Sequence, residues 1–273
     1  MNKNLGVETA LKYGLITGAY GGMGYATVKA LADNGYTVFA LDKRVGESEK
    51  NVIPLQADVT DITSIKQAFE QVKSVTDELC AVIHFAGVYM LDSLVEMPEN
   101  DFERIFQINV FGAFYVNKTF LPLLKSSAKI LLTTSELAPL DPLPFTGVYA
   151  VSKSALDKYA YALKMELQLL GINVSVLRAG AVSTGMLGTS TDALERFCEK
   201  TRLYGCNAER FRKIVNSVEA KSVAPERIAK KVVAILQKKR TKFAYAINRN
   251  KLLLLLHALP TRIQCTIIKR ILH

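Results

Sequence analysis

Apolar residues along this chain alternate between two patterns. Short continuous runs rich in Val, Ile and Leu read as buried strands. Between them, apolar positions recur every three or four residues, as on one face of a helix. Residues 13–18 read as a first strand and 22–34 as the helix after it, closed by Gly35 as a C-cap glycine closes one. Strands follow at Tyr36–Asp42 and Val52–Ala57, a helix at Asp61–Val75, a buried strand at Cys80–Ala86 and a long helix within 99–125. Lys129–Ser135 is a fifth strand, Val148–Leu170 a helix stopped by Gly171, and Ile172–Arg178 a sixth strand. Residues 185–220 are less regular and are expected to cover a substrate as a lid, with Met186, Leu187, Leu194, Phe197, Leu203, Tyr204 and Phe211 as its apolar content. Ala224–Gln237, with Pro225 suited to its first turn, presents Ile228, Val232, Ile235 and Leu236 on one face. Lys242–Ile247 is a last strand. Such alternation builds βαβ units, so the expected fold is α/β: a single doubly wound parallel sheet with helices on both faces.

The chain ends differently. Leu252–Leu256 are five consecutive leucines, Pro260 interrupts, and Thr261-x-x-Gln264 has the form of a capping box. Ile263, Ile267, Ile268, Ile271 and Leu272 fall on one helical stripe, with Arg262, Lys269 and Arg270 available for the polar side. The expected organisation is one domain over residues 1–250 and an amphipathic tail over 251–273.

Charge reinforces that division. The net charge of +10 comes entirely from the last 47 residues, where Arg227–His273 hold twelve Lys/Arg and no Asp/Glu. The remaining 226 residues carry 23 basic and 25 acidic side chains. A basic, apolar tail suggests peripheral contact with a membrane surface or an anionic partner; a solvated basic face or a packing element are its structural alternatives. It has no interleaved aromatics and no nucleic-acid motif, so nucleic acid is not an expected partner. Cys80, Cys198, Cys206 and Cys265 lie far apart without a CxxC, which reads as reduced thiols in a cytoplasmic protein. His84, His257 and His273 are too scattered for a metal cluster, so no metal is expected. Met1–Leu11 contains no signal-peptide core, and no charge-free apolar window reaches membrane-spanning length.

The candidate chemistry begins at the first strand–helix junction. Thr17-Gly18-Ala19-Tyr20-Gly21-Gly22-Met23-Gly24 delivers a glycine turn to a helix start, where unpaired N–H groups and the positive dipole end can hold a pyrophosphate in the Rossmann manner. Gly18, Gly21, Gly22 and Gly24 form that turn. Asp42, 18 residues beyond Gly24 at the end of the second strand, can accept both ribose hydroxyls of NAD and would repel the 2′-phosphate of NADP. Lys43 and Arg44 beside it leave NADP open. Downstream, Tyr149 and Lys153 are one helical turn apart. A phenol of ordinary pKa, about 10, is a poor base at neutral pH; a nearby ammonium is expected to lower it, so that Tyr149 can exchange a proton with a carbinol oxygen. Ser135, ending its strand, can orient that oxygen through a hydrogen bond.

These motifs together resemble the short-chain dehydrogenase/reductase family, from Lys12 to about Asn248. The residues that carry the resemblance are the glycine turn, Asp58-Val59, Ala86-Gly87, Asn109, Ser135, Tyr149-x-x-x-Lys153, and Gly180 followed by Thr184. The resemblance implies that Asn109 holds a water in a proton relay to Lys153, and that Lys153 also holds the nicotinamide ribose. It implies that Tyr20 and Met23 offer backbone contacts within the glycine turn, that Asp58 and Val59 contact the adenine, and that Val182 and Thr184 meet the carboxamide and a phosphate. Three departures stand out. His84-Phe85-Ala86-Gly87 replaces Asn-Asn-Ala-Gly, with His84 expected to take over a structural hydrogen bond. Ala179-Gly180 replaces Pro-Gly. Ser135 precedes Tyr149 by 14 residues, one more than in most members, with Glu136 at the commoner spacing. Met165–Ile172, Val174-Ser175-Val176 and Asn109–Leu124 resemble hydroxysteroid and retinol dehydrogenases. The expected function is an NAD(H)-dependent interconversion of a secondary alcohol and a ketone on a lipophilic substrate such as a hydroxysteroid. Alternatives are an NADPH-dependent ketoreductase on acyl or other carbonyls and a non-catalytic dinucleotide sensor. The resemblance also implies a homodimer or homotetramer formed through helices near 99–125 and 149–170.

Overall fold

Seven short apolar runs become strands: β1 (Lys12–Thr17), β2 (Tyr36–Asp42), β3 (Val52–Gln56), β4 (Leu79–His84), β5 (Leu124–Ser135), β6 (Asn173–Ala179) and β7 (Ala244–Ile247). The computed structural model describes residues 12–219 and 221–273, without the side chains of 186–191, 218 and 219. Met1–Leu11 and the side chains of Met186 and Leu187 therefore lie outside the described residues. All seven strands pair in parallel, in the order β3-β2-β1-β4-β5-β6-β7. The order reverses between β1 and β4, which opens a crevice at their carboxyl ends where ligands of doubly wound sheets bind.

Continuous apolar strands are explained by helices on both sheet faces. One layer is α1 (Gly22–Asp33) and α8 (Pro225–Leu236), whose Val28, Leu31, Ile228 and Val232 pack on Ile16, Val38, Ile83 and Leu177. The other layer includes α2 (Ile62–Lys73) and α5 (Gly147–Leu167), whose Ile65, Val72, Leu156 and Ala160 pack with Leu15, Phe39, Val82 and Leu132. Neighbours such as Leu15 and Ile16 thus serve opposite faces, as period-two side chains do. The stops expected at Gly35 and Gly171 both hold, with φ of 79° and 75°.

Three local expectations are corrected. The long helix within 99–125 is divided into α3 (Glu99–Phe106), a π turn at Gln107–Phe111, α4 (Gly112–Phe120) and a 3₁₀ turn at Leu121–Leu123. The π turn closes by the Gly112 N–H donating to the Gln107 carbonyl and places Asn109 within a widened coil. Residues 185–220, expected to be irregular, contain α6 (Gly185–Lys200) and α7 (Gly205–Glu219). Their Leu194, Phe197, Ala208 and Phe211 bury against Phe145 and Leu91, a spacing masked by the polar residues between them.

The tail forms α9 (Lys251–His257) and α10 (Thr261–Leu272), but not the expected capping box. Pro260 takes the N-cap position, and Gln264 Nε2 instead donates to the Leu259 carbonyl at 2.7 Å. The apolar stripe divides as well. Ile268 and Leu272 join the α6–α7 cluster, whereas Ile263 and Ile271 face outward.

Candidate active site

Close backbone approach explains the glycine turn. Gly18 has φ +66°, and a Cβ there would lie 2.5 Å from the Ala86 nitrogen; a Cβ on Gly24 would run into the Gly18 carbonyl. The turn therefore folds tightly over the end of β4, with Ala86 and Gly87 just beyond. Gly21 is the N-cap of α1 and provides no side-chain cap, so the amides of Gly22, Met23 and Gly24 open the helix toward the crevice. A Cβ on Gly22 would sit 2.6 Å from Thr184 Cγ2, which brings Thr184 to the same mouth. This cradle fits a dinucleotide pyrophosphate, whose approach a side chain on the turn would block.

Asp42 stands at the end of β2 beside the turn. Its Oδ2 accepts the Tyr20 amide at 3.0 Å and its Oδ1 the Arg44 amide at 3.4 Å. Lys43 is engaged elsewhere, its Nζ 2.7 Å from Asp58 Oδ2. Burial opposes charge on Asp58, but Lys43 and the Thr60 amide and hydroxyl outweigh it and hold the carboxyl below its usual range. Val59 is buried under α4, where a Cβ on Gly112 would meet its Cγ2 at 2.9 Å. Tyr20 differs from a backbone-only contact: its ring packs beneath Gly46, and its hydroxyl is buried against the Gly46 backbone.

The crevice continues into a cleft lined by Ser135, Tyr149 and Lys153 together with Met23, Gly87, Val182 and Thr184. Ser135 ends β5, and Tyr149 and Lys153 project from α5. Asn109 is buried behind this group. Its Oδ1 accepts the Val88 amide at 2.8 Å, and its Nδ2 donates to the Val88 carbonyl and to Ser152 Oγ, both at 3.0 Å. The side chain thereby clamps the segment after β4 to α5, with both amide hydrogens used.

The electrostatics correct one expectation. Lys153 Nζ donates to the Thr133 carbonyl at 3.1 Å and stands 5.9 Å from the centre of the Tyr149 ring. Burial pushes Tyr149 up to about 12; the Ser135 hydroxyl beside it pulls back, and Glu136 adds repulsion. Burial thus outweighs the lowering that the phenol receives from its neighbours. Its own pKa is lowered to about 8 by burial. Tyr149 also meets Tyr89 edge to face, ring centres 4.5 Å apart. Tyr89, Ser152 and Thr133 were not singled out from the sequence, where no motif marks them.

His84 takes the structural role expected of it. Its Nε2 lies 2.8 Å from Asn117 Oδ1, and Asn117 Nδ2 donates to the Tyr159 hydroxyl. Burial lowers its pKa from 6.5 to about 4, with Asn117 partly opposing. Between these values the unfolded chain binds a proton that the folded chain refuses. Stability from this group is therefore complete above about pH 6.5 and is lost as pH falls toward 4, by up to about 3 kcal/mol. His84→Gln, which can still donate to Asn117, should flatten the melting-temperature profile across that window; an unchanged slope would refute a neutral buried imidazole.

Among the described residues no group of three His, Cys, Asp or Glu side chains is placed to hold a metal. The sequence model of the family described as short chain dehydrogenase matches residues 12–195. Estradiol 17-beta-dehydrogenase 2 of Mus musculus is 34% identical over 187 residues, covering 64% of this chain and 49% of that protein, so the chain spans about half the length of that relative. The 3-ketodihydrosphingosine reductase of Bacteroides thetaiotaomicron is 26% identical over 230 residues, covering 84% and 85%. A short-chain dehydrogenase structure from Streptomyces avermitilis superposes with a TM-score of 0.73 at 20% identity, covering 88% of this chain and 89% of that one. The matched stretch runs from β1 past β6, through the glycine turn and the buried tyrosine–lysine pair, and this chain belongs to the short-chain dehydrogenase family of oxidoreductases.

Proposed function

We propose that the protein interconverts a secondary alcohol and a ketone on a lipophilic substrate such as a hydroxysteroid, using NAD(H). The observation that carries this reading is the convergence of Ser135, Tyr149 and Lys153 in one largely apolar cleft beside the glycine turn. A bound nicotinamide supplies the hydride acceptor or donor. Tyr149 is a neutral phenol near pH 7 and donates its proton to the carbonyl oxygen during reduction, leaving a phenolate; in oxidation that phenolate, the minor form near pH 7, takes the carbinol proton and becomes the phenol again. Ser135 orients the reacting oxygen. Lys153 supplies positive charge within reach of the phenol and, with Asn109 fixing the segment before it, shapes the nicotinamide end of the site. Gly18, Gly21, Gly22 and Gly24, with the amides of Tyr20 and Met23, hold the pyrophosphate. Asp58 and Val59 border the adenine side, Ala86 and Gly87 lie along the cofactor between the glycine turn and Lys153, and Val182 and Thr184 meet the carboxamide and a phosphate.

Preference for NAD over NADP rests on Asp42 and on Lys43 being tied to Asp58. An NADPH-dependent ketoreductase is the second reading, favoured by exposed Arg44 at the same rim. The test is nicotinamide absorbance with NAD and NADP against hydroxysteroids, retinol and small secondary alcohols. Turnover of a steroid position with NAD is the expected result; activity only with NADP and small polar carbonyls would overturn both the cofactor and substrate assignments.

The tail supports peripheral binding of a cytoplasmic protein to an anionic membrane surface. Leu252, Leu255, Ile263 and Ile271 are exposed beside Lys251, Arg262, Lys269 and Arg270. No described helix is long and apolar enough to cross a membrane. Deleting residues after Asn250 should reduce sedimentation with phosphatidylserine vesicles; equal sedimentation of both forms would return the tail to packing alone. Exposed Phe111, Phe114, Tyr161, Met165 and Leu169 on the helical layer support a homodimer or homotetramer.

A further inference from the structure

The loop from Ser135 to Tyr149 supplies two polar anchors that no catalytic step uses. Glu136 is buried at the end of β5, and its Oε2 accepts the Asn250 amide at 2.6 Å. Asn250 is the N-cap of α9, and its own Oδ1 accepts the Leu252 amide at 2.9 Å. At the other end of α9, His257 Nδ1 lies 3.4 Å from the Asp141 amide nitrogen and 3.3 Å from the Asp141 carboxylate. Both ends of one helix are thus held by the same catalytic loop. A helix of seven residues is far too short to persist by itself in water, so these anchors decide where it sits.

The helix so held reaches the cleft of the reacting groups. Leu253 lines the same cleft as Ser135 and Tyr149, as do Leu137, Leu143 and Thr146 of the loop. Beyond α9, Asn207 Nδ2 of α7 donates to the Leu272 carbonyl at 2.7 Å, and Ile268 and Leu272 pack into the α6–α7 cluster. The C-terminal helices therefore connect the catalytic loop to the lid.

We propose that α9 is a wall of the substrate site, strapped to the Ser135–Tyr149 loop by Glu136 and by the His257–Asp141 contact, and that Leu253 determines the fit of a bulky lipophilic substrate. Glu136 is a positioning residue: it acts through Asn250 and α9. The substrate part rests on the proposed function; the strap does not.

Hydrogen exchange of residues 250–257 in the full-length protein separates the two. Glu136→Gln keeps an oxygen that accepts the Asn250 amide, whereas Glu136→Leu fills the space without an acceptor. Exchange should rise about tenfold in Glu136→Leu and stay near wild type in Glu136→Gln, the effect of losing one hydrogen bond to a charged acceptor. Equal exchange in wild type and Glu136→Leu overturns the strap. With NAD, Leu253→Ala should raise the KM for estradiol about tenfold, changing kcat much less, and leave the KM for cyclohexanol in place. Parallel changes for both alcohols in Leu253→Ala overturn its role in substrate fit. If wild type turns over neither alcohol, the proposed function and the substrate role fall together, and the exchange result still decides the strap.

Discussion

Tyr149→Phe should lower kcat by about a thousandfold, within the usual range for removing a general acid or base, while NADH binds with unchanged affinity. The substitution deletes one oxygen. The ring keeps its edge-to-face contact with Tyr89 and its place over the cleft, so the shape of the site is preserved. What disappears is the proton that reaches the substrate oxygen, together with the hydroxyl that Ser135 neighbours. Single-turnover absorbance gives the chemical step and NADH fluorescence gives binding. Residual activity above about a tenth of wild type, far outside that range, would remove Tyr149 from proton transfer and leave Ser135 or a water as the donor.

The second large effect is expected at Asp42. Asp42→Asn retains an oxygen for the Tyr20 amide, so the glycine turn stays held, but it removes the charge that, in the proposed reading, the ribose hydroxyls meet and the 2′-phosphate opposes. Hydrogen bonds to charged groups contribute about 1.5–3 kcal/mol, and relief of repulsion adds to the change in preference. The ratio of kcat/KM for NADH over NADPH should therefore fall by about a hundredfold. Comparing the two cofactors at one substrate concentration series measures it. An unchanged ratio would transfer discrimination to Arg44 and favour the ketoreductase reading.

The α/β class, the strand sequence and the glycine turn were legible because period-two and period-3.6 patterns are local properties of the chain. Tyr149 and Lys153 were legible for the same reason: four residues along a helix are neighbours whatever the rest of the fold does. Other features had no local signal. The π turn around Asn109 depends on fitting α3 and α4 against α5, and nothing in Gln107–Phe111 announces it. The helices of 185–220 were hidden because their buried faces are narrow and their other positions polar. Glu136, at the commoner spacing of the serine, has no local signal for its contact with Asn250, which lies 114 residues further along the chain.

The sequence by itself determined the seven strands and the helices outside 99–125 and 185–220, that the sheet is parallel, and which chemical groups are available, since each follows from spacing within a few residues. Only the tertiary structure decided how those groups behave. Burial raises the Tyr149 phenol to about 12 and lowers Lys153 to about 8, and the Lys153 ammonium turns to the Thr133 carbonyl. Contacts separated by more than a hundred residues, Glu136 with Asn250 and Asp141 with His257, bring the tail to the cleft. Desolvation and long-range contact depend on what the folded chain places around a group, and no window of sequence contains that information.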